Sequence, residues 1–306
     1  MDALFVVNPA AGGGRGAERF ERVRARAAAP GKVVRVEFTE RPGQAAEIAR
    51  QGAQEGWRCV VAVGGDGTAS EVANGLAHTD TALGIVPTGT GCDFIRTAGI
   101  PADMERAIAE LWSYAPQAYD MGVIGDRRFL NAAGYGFDAA VAEEANRLKE
   151  RTRAGGTWPF LVAVAHVLRR YRCPNVRIRL DDGPEEAAPA LMATCANGRA
   201  YAGGMRISPR SDPRDGVLEL VAVRALRPAQ VVALLPSVFV GLHTRHPAVS
   251  IRSFHSLAVT ADIEVPVHCD GEMLAPLAVG GRLEVRVDPA AVRVLAPADA
   301  GRRSPT

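Results

Sequence analysis

The chain has 306 residues, and at roughly 150 residues per domain that length allows two domains with full apolar cores. With 47% hydrophobic and 23% charged residues and a net charge of +2, it is neither a disordered chain nor a nucleic-acid binder with a global basic field. Of its 36 Lys and Arg residues only Lys32 and Lys149 are lysines, and neither stands in a G-x-x-x-x-G-K-[ST] or V-A-I-K motif, which excludes a P-loop ATPase and a protein kinase.

Five cysteines (Cys59, Cys92, Cys173, Cys195, Cys269) form no C-x-x-C pair and are odd in number, which argues for a reducing compartment and against a zinc ribbon. Met1–Asn8 lacks a basic stretch and reads as a strand rather than a signal peptide. No apolar run reaches the roughly 18 residues of a membrane span, so the expectation is a soluble, cytoplasmic protein.

The first part alternates strands and helices. Leu4–Val7 reads as a buried strand, followed by a glycine loop and a helix from about Glu18 to Ala29. Lys32–Phe38 reads as a strand, Gln44–Gln54 as a helix and Cys59–Val63 as an apolar strand. Glu71–Ala77 reads as a helix, Ala82–Val86 as a strand and Met104–Trp112 as a helix. That order implies βαβ units and a parallel sheet, a Rossmann-like α/β domain that binds ligands beyond its strand ends. From about Tyr119 the rhythm changes to short strands, at Val176–Leu180, Ala190–Cys195, Val217–Val223, Leu257–Thr260, Ile263–Val267 and Leu283–Val287. They are separated by Gly, Pro and Asp turns, as in an antiparallel β-sandwich. Helical segments interrupt them at Ala139–Arg151, Pro159–Arg170 and Ala229–Leu242. The expected domains are therefore residues 1–118 and 119–289, with Ala291–Leu295 and the 290–306 tail returning to the first.

Three loops carry the chemistry. Asn8-Pro9-Ala10-Ala11-Gly12-Gly13-Gly14-Arg15-Gly16 joins a strand to a helix, where glycine backbone and a helix N-terminus suit a phosphate. From Gly12 it also matches G-x-G-x-x-[GA] with Glu37 about 20 residues on, so a dinucleotide-binding Rossmann protein stays open at this point. Gly64-Gly65-Asp66-Gly67-Thr68 is more specific: three glycines let backbone amides cover a polyphosphate, and Asp66 then calls for a magnesium ion or a hydroxyl between them. Pro87-Thr88-Gly89-Thr90-Gly91-Cys92-Asp93-Phe94-Ile95-Arg96 adds two hydroxyls, a carboxylate and a cation after the next strand.

Together, Asn8-Pro9, Gly64–Thr68 and Pro87–Arg96 resemble the signature segments of the bacterial diacylglycerol kinase and sphingosine-kinase-like lipid kinases, whose superfamily includes the NAD kinases and phosphofructokinases. Further resembling segments are Gly134-Tyr135-Gly136-Phe137-Asp138, Ala196–Arg199 with Gly203-Gly204-Met205, Asp215-Gly216-Val217-Leu218 and Asp270-Gly271-Glu272. They cover nearly the whole chain. The resemblance implies an ATP- and Mg2+-dependent kinase of a lipid hydroxyl, most simply diacylglycerol to phosphatidic acid, with ATP in a cleft between an α/β domain and a β-sandwich domain. It implies that Asn8, Thr39, Gly64, Gly65, Asp66, Gly67, Thr68 and Thr90 hold the nucleotide, and that Asp66 and Asp93 organise phosphates and catalytic magnesium. It implies that Asp270 is the base, supported by Glu272. A structural magnesium would use the Asp215 side chain and carbonyls near Asp212 and Val217.

The sequence departs from that pattern at Cys92, which stands where asparagine is usual, and at Ala69-Ser70, which replaces a leucine–asparagine pair. A NAD-kinase-like enzyme and a non-catalytic nucleotide-binding regulator remain as alternatives. Expected partners are ATP, a diacylglycerol-like lipid and a transient peripheral contact with the inner membrane face, with no nucleic acid and with room for a homodimer. His243 and His246 read as solvated loop histidines, and His268 and Cys269 as alternating strand positions before Asp270. The runs Pro159–Leu168 and Val231–Leu242 read as core or cleft-lining helices, or else as a surface that admits a lipid tail or rests on the membrane.

Overall fold

The computed structural model describes residues 2–27, 31–88, 92–152 and 158–298. The chain divides into two compact units, Met1–Met121 with Pro289–Thr306, and Gly122–Asp288.

The first unit alternates strand and helix: β1 (Ala3–Val7), a four-residue turn α1 (Ala11–Gly14), α2 (Gly16–Ala27), β2 (Val34–Phe38), α3 (Gln44–Gln54), β3 (Cys59–Gly64), α4 (Asp66–Leu76), β4 (Ala82–Pro87), α5 (Phe94–Ala98) and α6 (Met104–Leu111). Strands β4, β3, β1 and β2 lie in that order, all parallel, with Phe5 opposite both Val36 and Val61. Every residue of β1, β3 and β4 is buried, as a parallel sheet covered on both faces requires, and each buried Val, Leu, Ile or Phe contributes about 1.5–3 kcal/mol. Phe5, Val7, Val61 and Val63 pack with Phe20 and Val23 of α2 and Ile108 and Leu111 of α6. The opposite face meets α3: a Cβ on Gly52 would sit 2.9 Å from Leu4 Cδ2 and 3.2 Å from Val60 Cγ2, so glycine there lets helix and sheet approach.

Strand β5 (Ala115–Ile124) leads into the second unit, which holds β6 (Arg127–Phe129), β7 (Ala132–Gly136), α7 (Phe137–Thr152), α8 (Trp158–Leu168), β8 (Asn175–Leu180), β9 (Glu186–Ala196), β10 (Leu218–Arg224) and α9 (Pro228–Phe239). A 3-10 turn at Leu242–Arg245 follows, then β11 (Val249–Phe254), β12 (Ser256–Ala261), β13 (Val267–Cys269), β14 (Glu272–Met273) and β15 (Leu283–Ala296). Pairing within this unit is antiparallel. The first residues of β9 pair with β8, and its later residues lie between β7 and β10, so β9 takes part in both sheets of a sandwich. Phe129, Tyr135, Leu220, Phe254 and Val259 fill the core between them. In β15, Leu283–Arg286 pair antiparallel with β12, while Arg293 and Val294 pair parallel with β4.

The architecture is the expected one, a parallel α/β sheet followed by an antiparallel sandwich, and local details differ. The strand expected at Ile263–Val267 is a bend with one bridge, Val265 to Leu277, and β13 starts only at Val267. Pro266 has no N–H to give a ladder, and Ile263 faces solvent. The helix expected from Glu71 begins at Asp66, so Asp66-Gly67-Thr68 of the second glycine loop lie in the helix's first turn. His243 is not solvated: it is 2% exposed, with Nε2 3.0 Å from the Ile207 carbonyl oxygen, and burial lowers its pKa.

Candidate active site

In the first unit the three loops after β1, β3 and β4 are tied to one another. Asn8 directly follows β1; its Oδ1 accepts from Ala10 N at 3.0 Å and its Nδ2 donates to Thr68 Oγ1 at 3.0 Å. Gly64 must be glycine, because a Cβ there would collide with the Thr68 side chain. Its carbonyl accepts from Thr88 N at 3.0 Å, joining the second loop to the third. Arg19 of α2 donates through Nη1 to the Thr88 carbonyl, and a Cβ on Gly12 would stand 2.9 Å from that same oxygen. Thr39, 8% exposed, donates its N–H to the Val7 carbonyl at 2.9 Å, at the end of β2 beside Asn8.

Gly65 is the extended residue before α4, and Asp66 and Gly67 open the helix. A Cβ on Gly13, Gly14, Gly65 or Gly67 would meet no atom within 4 Å among the described residues outside its own turn of chain. These glycines line open space rather than packed interior, and the first N–H groups of an eleven-residue helix stand beside them. That combination lets an anion approach the backbone.

Asp66 accepts from Asp93 N at 2.8 and 2.9 Å through its two oxygens and from Phe94 N at 3.1 Å. The second-loop carboxylate therefore fixes the start of α5 and sets Asp93 next to itself. Asp93 is 1% exposed, with Arg96 Nε 3.4 Å from its Oδ1. Cys92 answers the question raised by its replacing asparagine. Burial pushes its thiol well above the ordinary range, and neighbouring Asp66 adds to the shift, so the S–H stays protonated and hydrogen-bonds with that carboxylate. Thr90 lies outside the described residues. Arg15 is exposed on the first loop. Arg19, which bridges the first and third loops, carries no sequence signal, because its partner is a backbone carbonyl 69 residues away.

In the second unit Asp270 and Gly271 form the two-residue tip of the β13–β14 hairpin, with Cys269 opposite Glu272 and φ of +47° and +85° at the two tip residues. Asp-Gly is the pair such a primed turn selects. The turn directs the Asp270 carboxylate onto three main-chain donors: Leu130 N at 2.8 Å, Asn131 N at 2.9 Å and Ala132 N at 3.0 Å. Asn197 holds this segment from the other side, its Nδ2 donating to the Leu130 carbonyl at 2.7 Å and its N–H to the Asn131 carbonyl at 2.9 Å. The Ala196–Arg199 motif is thus the floor under Asp270. Glu272 does not share this setting; it is exposed and pairs with Arg127.

The Gly134–Asp138 segment ends in a buried carboxylate whose partners are not legible in the sequence. Asp138, at the start of α7, accepts from Ala139 N at 2.8 Å and Thr194 Oγ1 at 2.9 Å, with His268 Nε2 3.2 Å away. The His268 ring stacks on Tyr201, 6.2 Å between centroids. A Cβ on Gly134 would collide with Asp138 Oδ2 and come within 2.7 Å of His268 Nε2, which accounts for glycine in that motif.

The Asp215 turn is formed by Asp215 Oδ1 accepting from Val217 N at 3.1 Å over Gly216 at φ +81°. The Asp212 carbonyl accepts from Arg214 N at 2.7 Å and Asp215 N at 3.2 Å. Arg214 grips the Asp212 carboxylate in a fork at 2.9 and 3.0 Å, which lowers its pKa. Among the described residues no three His, Cys, Asp or Glu side chains group as a metal site. An open groove of about 240 Å³ lined by Arg179, Asp181, Ser256 and Arg286 contains none of the site residues.

Residues 2–124 match the diacylglycerol kinase catalytic domain family, and residues 131–296 match the YegS C-terminal NAD kinase beta sandwich-like domain family. The chain is 32% identical over 260 residues to a diacylglycerol kinase of Mycobacterium tuberculosis, covering 79% of this chain and 78% of that one. It is 30% identical over 276 residues to a YegS-like lipid kinase of Pseudomonas savastanoi pv. phaseolicola, covering 86% and 84%. Its fold is similar to the crystal structure of a diacylglycerol kinase from Bacillus anthracis, with a TM-score of 0.71 at 20% identity over 98% of both chains. It is also similar in fold to yeast NADH kinase, with a TM-score of 0.54 at 12% identity over 99% and 85% of the chains. The chain belongs to the diacylglycerol kinase and YegS-like lipid kinase family.

Proposed function

We propose that the protein transfers the γ-phosphoryl group of ATP to the hydroxyl of diacylglycerol, giving phosphatidic acid and ADP. In a chain of this family, the observation that carries this reading is the joining of three glycine loops around Asn8, Thr68, Asp66 and Asp93. The α4 N-terminus and the glycines facing open space receive the phosphates, and Asn8, Thr39, Gly64, Gly65, Gly67, Thr68 and Thr90 form the nucleotide's surroundings. Asp66 and Asp93 are hard oxygen donors of the kind magnesium takes when phosphates complete its shell, so they would hold the Mg2+ that accompanies ATP. Bound there, the ion neutralises charge on the phosphates.

Asp270 is the proposed base. Three main-chain N–H groups fix its carboxylate, which takes the proton of the lipid hydroxyl as the oxygen forms its bond to phosphorus and the bond to ADP breaks. Asn131 and Asn197 position Asp270 through the backbone it grips. Asp215, with the carbonyls of Asp212 and Val217, is the proposed second cation site, structural in role. The substrate's place in a bilayer implies working transiently at a membrane surface, on the side that supplies ATP.

The test is phosphorylation with labelled ATP and magnesium, offering diacylglycerol, sphingosine and NAD as acceptors. Label should enter diacylglycerol and be lost on chelating the magnesium. Label in NAD, or in no acceptor, overturns the reading.

A further inference from the structure

The outer face of α9 does not have the composition of a solvated helix. Its twelve residues, Pro-Ala-Gln-Val-Val-Ala-Leu-Leu-Pro-Ser-Val-Phe, contain no charge. Val231 turns inward, where it packs with Val164 of α8 and Val223 of β10. The exposed positions are Pro228, Ala229, Gln230, Val232, Ala233, Pro236, Phe239 and Val240; Gln230, whose Oε1 accepts from Arg227 N at 2.9 Å, is the one polar side chain among them, and Ala229, Val232, Ala233, Pro236, Phe239 and Val240 form an apolar stripe at helical spacing. A helix that covers a core presents a polar face to water, so this stripe faces something other than water. Val232, Phe239, Val240 and Leu242, at 57, 40, 60 and 50% exposure, are four of the nine large apolar side chains exposed among the described residues.

The sequence on either side of the stripe carries charge of one sign. No Asp or Glu occurs between Glu219 and Asp262, a stretch that carries Arg224, Arg227, Arg245 and Arg252. The segment that fastens the end of α9 is similar: Arg206 N donates to the Val238 carbonyl at 3.0 Å, and from Asn197 to Ser211 the chain has arginines but no acid. Arg206, Arg210, Arg227 and Arg245 are exposed, and no ion pair engages them among the described residues. An apolar helix face whose flanking sequence carries exposed arginines and no acids is the pattern of a segment lying in the headgroup region of an anionic bilayer. At twelve residues it is far too short to cross one.

From these observations we propose that α9 and the Leu242–Arg245 turn form the surface by which this protein docks on anionic membranes, with Val232, Phe239, Val240 and Leu242 entering the headgroup–acyl boundary and the arginines binding lipid phosphates. This deepens the lipid-kinase reading and rests on it for the reason the protein should visit a bilayer. Hydrogen bonds link the surface to Asp270: the Arg206–Ser211 segment is joined to Arg199 by Ser208 N donating to the Arg199 carbonyl at 3.3 Å and Arg199 Nε donating to the Ser211 carbonyl at 2.9 Å. Asn197, next along, holds Leu130 and Asn131 beneath Asp270. A docked α9 therefore sets the height of Asp270 above the lipid.

The experiment is vesicle sedimentation without ATP, comparing phosphatidylcholine vesicles with equimolar phosphatidylcholine–phosphatidylglycerol vesicles. The unsubstituted protein should bind the mixed vesicles, and binding should weaken as salt rises. Val232→Ser with Phe239→Ser should lower the partition coefficient by roughly tenfold or more, and Arg206→Gln with Arg245→Gln by about fivefold per arginine. Both pairs should still phosphorylate a water-soluble short-chain diacylglycerol at the unsubstituted rate, a control for folding. In Phe239→Trp, brominated lipid should quench emission beyond the quenching of the native tryptophans. Unchanged binding in the serine pair, absent extra quenching, or loss of a dimer in the serine pair with vesicle binding intact would each overturn the proposal. Because binding is read without ATP, failure of the kinase reading would appear separately, as good docking with no lipid phosphorylated.

Discussion

Replacing Asp270 separates a base from a scaffold. Its carboxylate accepts three N–H groups from residues that are 1, 5 and 2% exposed, Leu130, Asn131 and Ala132. Asp270→Ala would leave three buried donors unpaired, at about 1–3 kcal/mol each before relaxation, and would place alanine at φ +47° for about 1 kcal/mol more. Asp270→Asn is gentler: its oxygen can keep Asn131 and Ala132, its amide opposes Leu130 N, and asparagine tolerates the left-handed turn, so the loss is about 1–3 kcal/mol. The proton-accepting function goes in both. Denaturant midpoints and steady-state kinetics with labelled ATP and dispersed diacylglycerol read the two effects apart. Asp270→Asn should remain folded, keep its KM for ATP within about threefold, and lose roughly 10²–10⁴ in kcat. If Asp270→Asn keeps kcat within about threefold, or if kcat falls only in proportion to unfolded protein, Asp270 is a structural clamp and not the base.

Gly64→Ala forces its methyl against Thr68 and strains the Asn8–Thr68 bond, so we expect about 1–3 kcal/mol less stability and an ATP KM raised about tenfold or more; an unchanged KM would separate this contact from the nucleotide site. Arg214 holds the Asp212 carboxyl below the usual carboxylate range, so their pairing stabilises the fold fully above about pH 4 and is lost as pH falls through the lower folded value. Arg214→Gln should therefore be less stable than the unsubstituted protein near neutrality and equal to it in strong acid, and a difference that persists undiminished at about pH 2 would refute the linkage. With its pKa pushed well up by burial beside Asp66, Cys92 should resist iodoacetamide at about pH 8 until urea unfolds the chain, and rapid native alkylation would contradict the buried S–H.

Much of this protein is legible from neighbouring residues alone. The fully apolar runs at β1, β3 and β4 declare a parallel sheet, because only strands covered on both faces can be so. The glycine loops and the Asp-Gly pair at 270–271 declare themselves by backbone demand: Gly64 by the crowding of Thr68 four residues on, and Asp270-Gly271 by the left-handed turn they form. Ile263–Val267 reads as a strand because period-two patterning outweighs one proline in sequence, whereas in a sheet the missing N–H of Pro266 interrupts the ladder.

What the sequence could not determine depends on partners distant along the chain. Nothing near Asp66 says that it would cap α5 twenty-seven residues later, or near Arg19 that it would reach the Thr88 carbonyl. Asp138 and His268 are 130 residues apart and meet only because β13 pairs with β7. The apolar character of Val231–Leu242 was plain in the sequence, but whether that helix was core or surface was not. Composition records how much apolar area a segment carries, while packing alone decides which side of it remains in contact with solvent. In α9 the core took Val231 and left Val232, Phe239 and Val240 outside.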